Sequence, residues 1–319
     1  MLASADKVVL DPVMGDNGKL YIPEDEVPEY KSLLREADLI LPNQFEAECV
    51  LAPTRQHIRQ ALTHPACRTL SETPIHDLDS LATAIQVLHT TYRVPHVIIT
   101  SLRLTADNQI PSSRPVTQPH TPATESADPL SSSTLLLNKP TADVPEKKEA
   151  VENLTISGST ATSDFKPRLF RIDTPALPLF FSGTGDMFAA LTVPRLIEAV
   201  AQAPSEQNLS STPSWRSPDD VGAADLPLAR AAQKVLASMQ SILAKTAETC
   251  RVKMDEYDAR VARGGGEQLE NNRHLALMNA SEVVVPRHVS DLLNPPDVER
   301  FRPKAVRAQT SAIHRESDE

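Results

Sequence analysis

Cysteine is scarce in this sequence, and the few cysteines present form no recognisable pattern. The 319 residues contain three of them, Cys49, Cys67 and Cys250, at unrelated spacings. An odd number without regular spacing argues against a disulfide framework and against a zinc-binding motif. We therefore expect a protein of the reducing cytoplasm.

Long apolar runs and a signal peptide are also missing. No stretch approaches the roughly 20 apolar residues that span a bilayer. The first residues, Met1-Leu-Ala-Ser-Ala-Asp-Lys7, have neither a basic start nor an apolar centre. The sequence therefore predicts no membrane partner.

Positive charge is in deficit. The chain has 32 lysine and arginine residues against 42 aspartate and glutamate residues, which gives a formal net charge of -10. A phosphate backbone would repel such a chain, so no nucleic-acid partner is expected. Hydrophobic residues make up 40% of the sequence, which is enough to fill the core of one large domain or two small ones.

Glycine is rare, yet four of the nine glycines fall within two short motifs. Gly15 and Gly18 belong to the first motif, and Gly183 and Gly185 belong to the second. Because glycine allows backbone geometry and close ligand approach that other residues resist, both motifs are candidates for a binding site.

Apolar runs of strand length alternate with helical patterns in the first part of the chain. The runs at 8–10, 39–41 and 97–99 each end in polar residues, as buried parallel strands commonly do. Residues 28–38 and 78–92 repeat apolar side chains at helical spacing, the second stretch after a capping Asp77. This alternation predicts an α/β fold with a parallel sheet, in which ligands bind at the carboxyl ends of the strands.

Two polar stretches interrupt this pattern. Residues 106–164 and 204–225 are rich in proline, serine and threonine, and we expect both to be disordered insertions in a single domain spanning 1–319. A regulatory or partner-binding role for the first stretch is an alternative to an unconstrained loop. Residues 226–253 predict a strong helix, and 282–285 a short edge strand.

The second glycine motif, Gly183-Thr-Gly-Asp186, stands directly before an apolar helical segment. Unpaired backbone N–H groups at the positive end of a helix suit a phosphoryl group or a developing oxyanion. Asp186 could then orient and deprotonate a hydroxyl nucleophile. The structural alternative, a tight turn with an aspartate cap, explains the four residues equally well.

The set of polar residues is more informative than any one of them. Acids and glycine near a strand end are often only turn formers. However, five polar side chains are expected at one edge of one sheet, where gathered carboxylates would attract cations or a phosphate-bound metal. They are Asp11, Asp16, Glu46, Thr100 and Asp186.

These motifs carry a family resemblance. The chain resembles pyridoxal kinase, a ribokinase-like enzyme, in four stretches that occur in the family's order. They are Asp11-Pro-Val-Met-Gly-Asp-Asn-Gly-Lys-Leu-Tyr21, Leu41-Pro-Asn-Gln-Phe-Glu-Ala-Glu48, Val97-Ile-Ile-Thr-Ser101 and Gly183-Thr-Gly-Asp-Met-Phe-Ala-Ala190. Hydroxymethylpyrimidine kinases share Asp-Pro-Val-Met and Gly-Thr-Gly-Asp, and a kinase of that type is an alternative.

The resemblance implies a ribokinase-like sheet of mainly parallel strands flanked by helices. Family members carry further strands upstream of the matching region, so an N-terminally incomplete domain is expected. It also implies a homodimer. Leu41 stands where the family commonly has threonine, which removes one oxygen from the expected monovalent-cation site.

Site roles follow from the resemblance by position. Asp186 would be the catalytic base, and the turn Gly183–Gly185 the anion hole. Asp16 and Glu46 would hold Mg²⁺, directly or through water. The remaining expected contacts are Asp11 and Thr100 to a monovalent cation such as K⁺ and to ATP, Asn43, Ser101 and Thr184 to ATP, and Tyr21 to the vitamin.

The implied reaction is ATP-dependent phosphorylation of the 5′-hydroxymethyl group of pyridoxal, pyridoxine or pyridoxamine, which gives pyridoxal 5′-phosphate from pyridoxal. The alternative from a different class is a non-catalytic nucleotide-binding remnant or interaction protein derived from this kinase. In that case the stretch 106–164 would carry the function.

Overall fold

The computed structural model describes residues 7–16, 18–51, 75–104, 110, 153–263 and 272–306. Within them, eight strands form a six-stranded sheet and a separate two-stranded hairpin. The strands are β1 (Val9–Leu10), β2 (Gly15–Asp16), β3 (Lys19–Leu20), β4 (Leu39–Ile40), β5 (His96–Arg103), β6 (Asn153–Thr160), β7 (Leu169–Pro175) and β8 (Lys304–Ala305).

Seven α-helices are present in the same described part of the chain. They are α1 (Val27–Leu33), α2 (Gln44–Leu51), α3 (Leu78–Thr91), α4 (Thr184–Ala201), α5 (Pro227–Ala262), α6 (Arg273–Ala280) and α7 (Val289–Leu293). Helices α1 to α3 share one apolar cluster with one face of the sheet, and α4 and α5 share another with the opposite face. The fold is therefore a sheet between two helical layers.

The large sheet has the strand order β1-β4-β5-β6-β7-β8. β4 pairs in parallel with both β1 and β5, whereas the pairs from β5 to β8 are antiparallel. It follows that β1, β4, β5 and β7 all run in one direction, and only β6 and β8 oppose them. The predicted α/β class with mainly parallel strand directions and flanking helices is confirmed.

Local sequence explains why the central elements form where they do. Val97, Ile98 and Ile99 in β5 are fully buried, and they alternate between the two apolar clusters because successive strand residues face opposite sides. Helix α3 begins at a capping box, in which Asp77 accepts from the Ser80 amide and Ser80 reaches back to the Asp77 amide. The predicted strands and this predicted helix are confirmed.

The predicted insertion 106–164 is wrong at its C-terminal end. Residues 153–160 form β6, which lies inside the sheet between β5 and β7. Its serine and threonine hydroxyls have buried partners: Ser159 Oγ lies 2.8 Å from Nε2 of His89, and Thr160 Oγ1 lies 2.9 Å from Nδ1 of His96. These bonds allow a polar strand to be buried. Residues 105–109 and 111–152 lie outside the described residues.

The prediction that 204–225 is disordered is also wrong. The segment forms four short 3-10 helices, and Leu209 is buried in the core. The buried Arg168 guanidinium donates to the carbonyl oxygens of Pro218 at 2.5 Å and Ser217 at 3.0 Å. His96 Nε2 lies 2.6 Å from the Ser214 carbonyl oxygen. Side chains from the sheet therefore hold a segment whose own composition looks unstructured.

Three smaller differences concern the C-terminal half. The expected strand at 282–285 is absent, because Val285–His288 is a 3-10 helix and the last described strand is β8. Pro194 lies inside α4, where a proline is expected to kink or end a helix, yet the helix continues to Ala201. The predicted helix at 226–253 is longer than expected and forms α5, which ends at Ala262.

Candidate active site

The first glycine motif folds into a small hairpin that follows β1 in the chain. Asp11 follows β1 directly, and β2 then pairs with β3 around a turn in which Gly18 has a φ of 76°. The Tyr21 amide donates to the Met14 carbonyl oxygen at 2.8 Å, which closes the hairpin. This geometry places half-buried Asp16 at the hairpin's turn and leaves 66% of Tyr21 exposed.

The start of helix α2 holds this hairpin. Asn43 Oδ1 accepts from the Glu46 amide at 2.9 Å, and Glu46 Oε2 accepts from the Asn43 amide at 2.9 Å, which is a reciprocal helix cap. Asn43 Nδ2 also donates to the Gly15 carbonyl oxygen at 2.8 Å. Glu46 Oε1 accepts from the amides of Met14 at 2.9 Å and Gly15 at 3.4 Å. Both backbone groups of Gly15 are therefore bonded to α2.

Gly15 must be glycine for this contact to exist. A Cβ at this position would lie 2.4 Å from the Lys19 carbonyl oxygen and 2.7 Å from the Phe45 ring. These separations are shorter than van der Waals contact, so a side chain would push the hairpin away from α2.

Glu46 has a strongly perturbed carboxyl group. Burial raises its pKa to about 7, against the opposing effect of the amides of Asn43, Met14 and Gly15, and the charge of Asp11 raises it further. Burial is also the first cause of the raised pKa of Tyr21, followed by the charges of Asp16 and Glu46. The acids of the hairpin and of α2 therefore share one electrostatic environment.

The second glycine motif opens α4. Gly183 adopts a left-handed conformation with φ 76° and ψ 15°, and no side chain caps the helix. The first N–H groups of a helix have no intrahelical carbonyl partner, so the first turn of α4 presents donors. A Cβ built on Gly185 would meet nothing within 4 Å, which leaves open space beside this turn. Thr184 and Asp186 belong to the same first turn, and Asp186 is exposed.

The two motifs meet through their acids. The pKa of half-buried Asp11 is raised first by burial and then by the negative charge of Asp186. Because Asp11 in turn affects Glu46, an unbroken series of interacting acids leads from the hairpin to the start of α4. This is the arrangement expected of residues at one edge of a parallel sheet.

The end of β5 completes the edge. Asn43 and Thr100 form an isolated parallel bridge, and the Thr100 amide donates to the Pro42 carbonyl oxygen at 2.9 Å. The register of β5 against β6 shifts between Ile99 and Leu102, and Ser101 there has a φ of 59°. Such an irregularity in a strand turns neighbouring side chains away from the regular pleat. Leu41, by contrast, is buried in the core and has no side-chain oxygen to offer to this edge.

Metal binding is only partly compatible with these residues. Within the described residues, no group of three or more histidine, cysteine, aspartate or glutamate side chains is arranged to hold a metal ion. Both Glu46 oxygens already accept backbone amides, so Glu46 fits poorly as a direct ligand. Asp16 and Asp11 retain the carboxylate chemistry that Mg²⁺ prefers, with phosphate oxygens and water completing its shell.

Sequence reasoning missed the role of Asn43 and Glu46 as a helix cap. The signal was available, because an N-cap residue followed three positions later by glutamate is typical of a helix start. The dipeptide Asn17-Gly18 is likewise typical of a two-residue hairpin.

Comparison with known proteins finds similar proteins that carry the same name. A Schizosaccharomyces pombe protein named "Putative pyridoxal kinase C6F6.11c" is 28% identical over 191 residues, which cover 60% of this chain and 40% of that protein. The Homo sapiens protein named "Pyridoxal kinase" is 53% identical over 45 residues, 12% of this chain and 14% of that one. A scan against protein-family models finds no match. The chain is similar in sequence to proteins named as pyridoxal kinases.

Solved structures agree with this relationship at the level of the fold. A pyridoxal kinase from Leishmania donovani in complex with ADP matches with a TM-score of 0.50 at 19% identity, covering 94% of this chain and 62% of that one. Plasmodium falciparum PdxK with AMP-PNP and PL matches with a TM-score of 0.50 at 17% identity, covering 94% and 60%. The ribokinase-like fold predicted from the sequence is confirmed.

The matching pyridoxal kinase relatives are longer than this chain. It covers 40% of the Schizosaccharomyces pombe protein and 62% of the Leishmania donovani structure, less than two thirds in each case. Within the described residues, no helix combines the length and the apolar character needed to cross a membrane.

Proposed function

We propose that the chain is an ATP-dependent kinase of B6 vitamers, which transfers the γ-phosphoryl group of ATP to the 5′-hydroxymethyl oxygen of pyridoxal, pyridoxine or pyridoxamine. The observation that carries this function is the electrostatic interaction between Asp11 and Asp186, which links the acidic hairpin edge to the amide-rich start of α4. The relatives' names and the ADP and AMP-PNP complexes of the matching structures support the choice of reaction.

The reaction requires a base, an anion site and a leaving group. Asp186 takes the proton of the substrate hydroxyl as its oxygen attacks the γ-phosphorus. A new oxygen–phosphorus bond forms, the bond to the β–γ bridging oxygen breaks, and ADP leaves with that electron pair. The first-turn amides of α4, at Gly183 to Gly185, stabilise charge on the transferring group, since a loose transition state depends on positioning and charge neutralisation.

The remaining predicted residues have roles beside this centre. Thr184 lies in the first turn of α4, and Thr100 and Ser101 lie at the irregular end of β5, where they would contact the nucleotide. Exposed Tyr21 would lie against the vitamin. A monovalent cation such as K⁺ would depend on Asp11 and Thr100, without a side-chain oxygen from residue 41.

Mg²⁺ would be held chiefly by Asp16. When bound, it neutralises the negative charge of the ATP phosphates. Its other ligands would be phosphate oxygens and water, as is usual for Mg²⁺ at phosphotransfer sites.

The test is a phosphotransfer assay of the purified chain with pyridoxal, ATP, Mg²⁺ and K⁺. Pyridoxal 5′-phosphate should form, and Asp186→Asn should abolish product formation while the control Asp220→Asn, at an exposed acid, leaves it unchanged. ATP binding without turnover would contradict the kinase and favour the non-catalytic alternative. Phosphorylation of a hydroxymethylpyrimidine in preference to pyridoxal, when both are offered, would show that the vitamin assignment is wrong.

A further inference from the structure

The contacts of Glu46 differ from those of a metal ligand. Glu46 is 5% exposed, and its carboxylate accepts hydrogen bonds from three backbone amides, those of Met14, Gly15 and Asn43. Oε1 receives two of these bonds and so has both lone pairs engaged. A cation bound directly at Oε1 would have to compete with the amides of Met14 and Gly15 for its lone pairs.

The side chain of Asn43 is likewise occupied by hydrogen bonds to the backbone. Its Oδ1 caps α2 through the Glu46 amide, and its Nδ2 donates to the Gly15 carbonyl oxygen. A nucleotide contact would have to compete with both bonds. Asn43 and Glu46 therefore connect one element, α2, to both backbone groups of one residue, Gly15.

The position of Gly15 gives this connection a consequence for the site. Gly15 and Asp16 are the two residues of β2, and the absence of a side chain at Gly15 lets β2 lie against Phe45 of α2. Fixing the backbone of Gly15 fixes the Cα of Asp16, the acid assigned to Mg²⁺ under the proposed function.

We propose that Glu46 and Asn43 are positioning residues, which fix the Gly15–Asp16 strand against the start of α2, and that Glu46 is not a direct ligand of the metal. The effect of this positioning on metal binding rests on the proposed function, since a metal at Asp16 is part of that function. The geometry behind it is independent of turnover. Asp16 supplies the ligand, and α2 supplies its placement.

The first experiment measures backbone amide exchange by NMR on the chain without nucleotide or metal. Glu46→Gln should increase the exchange rate of at least one of the Met14, Gly15 and Asn43 amides at least about tenfold, because the single oxygen of a glutamine side chain cannot replace both carboxylate oxygens. Asn43→Ser should also increase exchange of the Gly15 amide, because the strand loses the bond that the Asn43 side chain donates to the Gly15 carbonyl oxygen. Serine is a good N-cap, so α2 should stay capped. Glu36→Gln, at an exposed acid of the same region, is the matched control and should change neither.

Unchanged exchange in both variants would overturn the proposal, whatever the kinase assay shows. A chain without kinase activity could still show the expected exchange, so failure of the inference and failure of the proposed function are distinguishable. Asn43→Ser also keeps the experiment decisive if Glu46→Gln does not fold.

The second experiment separates positioning from ligation with Mn²⁺ as the probe, titrated into the chain with ATP. Positioning predicts that Glu46→Gln and Asn43→Ser weaken Mn²⁺ binding to a similar extent, within about threefold of each other, because each loosens the same residue. Asp16→Asn sets the scale for loss of a ligand and should weaken binding more than either. A loss in Glu46→Gln equal to that in Asp16→Asn, with Asn43→Ser like the wild type, would identify Glu46 as a ligand and overturn the proposal.

Discussion

The carboxyl group of Asp11, after the first strand, lies close enough to Asp186, in the first turn of α4, for the charge of Asp186 to raise the pKa of Asp11. Burial is the larger cause of this shift. This interaction joins two sequence motifs that are far apart in the chain. It gives the proposed site its two halves, an acidic one and one rich in amide donors.

This relationship can be measured directly. Asp186→Asn removes one of the two causes that raise the pKa of Asp11, so that pKa should fall while burial keeps it above its ordinary value of 3.8. An NMR titration of the Asp11 carboxyl carbon checks this. Asp255→Asn, on the distant part of α5, is the control and should leave the Asp11 titration unchanged. An Asp11 titration unaffected by Asp186→Asn would mean that the two acids do not share a site.

A side chain at Gly15 should disrupt the hairpin. Gly15→Ala places a Cβ 2.4 Å from the Lys19 carbonyl oxygen and 2.7 Å from the Phe45 ring, so the backbone must move. We expect a loss of about 1–3 kcal/mol in the free energy of unfolding, together with weaker ATP binding. Urea denaturation and nucleotide titration measure the two effects.

The matched control is Gly222→Ala, where the nearest atom to a new Cβ is Asp225 Oδ2 at 3.4 Å and the backbone φ is -62°. This substitution should change stability by less than about 1 kcal/mol. Equal stability of the two alanine variants would show that the hairpin does not pack against α2 as described.

Acid should destabilise the protein through two buried histidines. Burial lowers the pKa of His89 and of His96 from 6.5 to about 4. In the unfolded chain both rings protonate near pH 6.5, so the unfolded state binds more protons between that value and about pH 4. Their contribution to stability is therefore fully present above pH 6.5 and is lost as the pH falls toward 4.

Urea midpoints at neutral and mildly acidic pH test this expectation. His96→Gln should reduce the difference between the two midpoints, because the substituted side chain cannot take up a proton on unfolding. His274→Gln, at an exposed histidine, should leave the difference as in the wild type. The same pH dependence in His96→Gln and the wild type would contradict the assignment.

The segment 204–225 should depend on Arg168. The guanidinium donates to five backbone carbonyl groups, three of them in this segment, at Ser217, Pro218 and Val221. Arg168→Met leaves these acceptors without their donor, including the three whose bonds are buried, at Thr160, Ala161 and Ser217, at a cost of at least about 2 kcal/mol. Limited proteolysis should cut the segment faster in this variant, whereas Arg302→Met, at an exposed arginine, should behave like the wild type.

Local patterns in the sequence predict the elements that depend on local information. The apolar runs that became β1, β4 and β5 and the capping aspartate of α3 are signals of this kind. Strand β6 and the segment 204–225 escaped prediction because their polar groups are satisfied by His89, His96 and Arg168, which are distant in sequence. Composition alone cannot show such partners.

The same distinction applies to the site. Sequence order and strand ends predicted that Asp11 and Asp186 would lie at one edge, and their electrostatic interaction agrees with that. The engagement of Asn43 and Glu46 with Gly15 depends on how closely two backbones approach, which no residue pattern states by itself. The roles of individual residues toward ATP, metal and vitamin stay predictions.

The central claim is that both glycine motifs act on one terminal phosphate. The most direct measurement is a crystal structure of the chain with a non-hydrolysable ATP analogue and Mn²⁺, located by its anomalous signal. We predict that the γ-phosphate lies against the amides of Gly183 to Asp186, with Mn²⁺ beside Asp16. A γ-phosphate bound away from the start of α4, or a metal remote from the hairpin, would contradict the account.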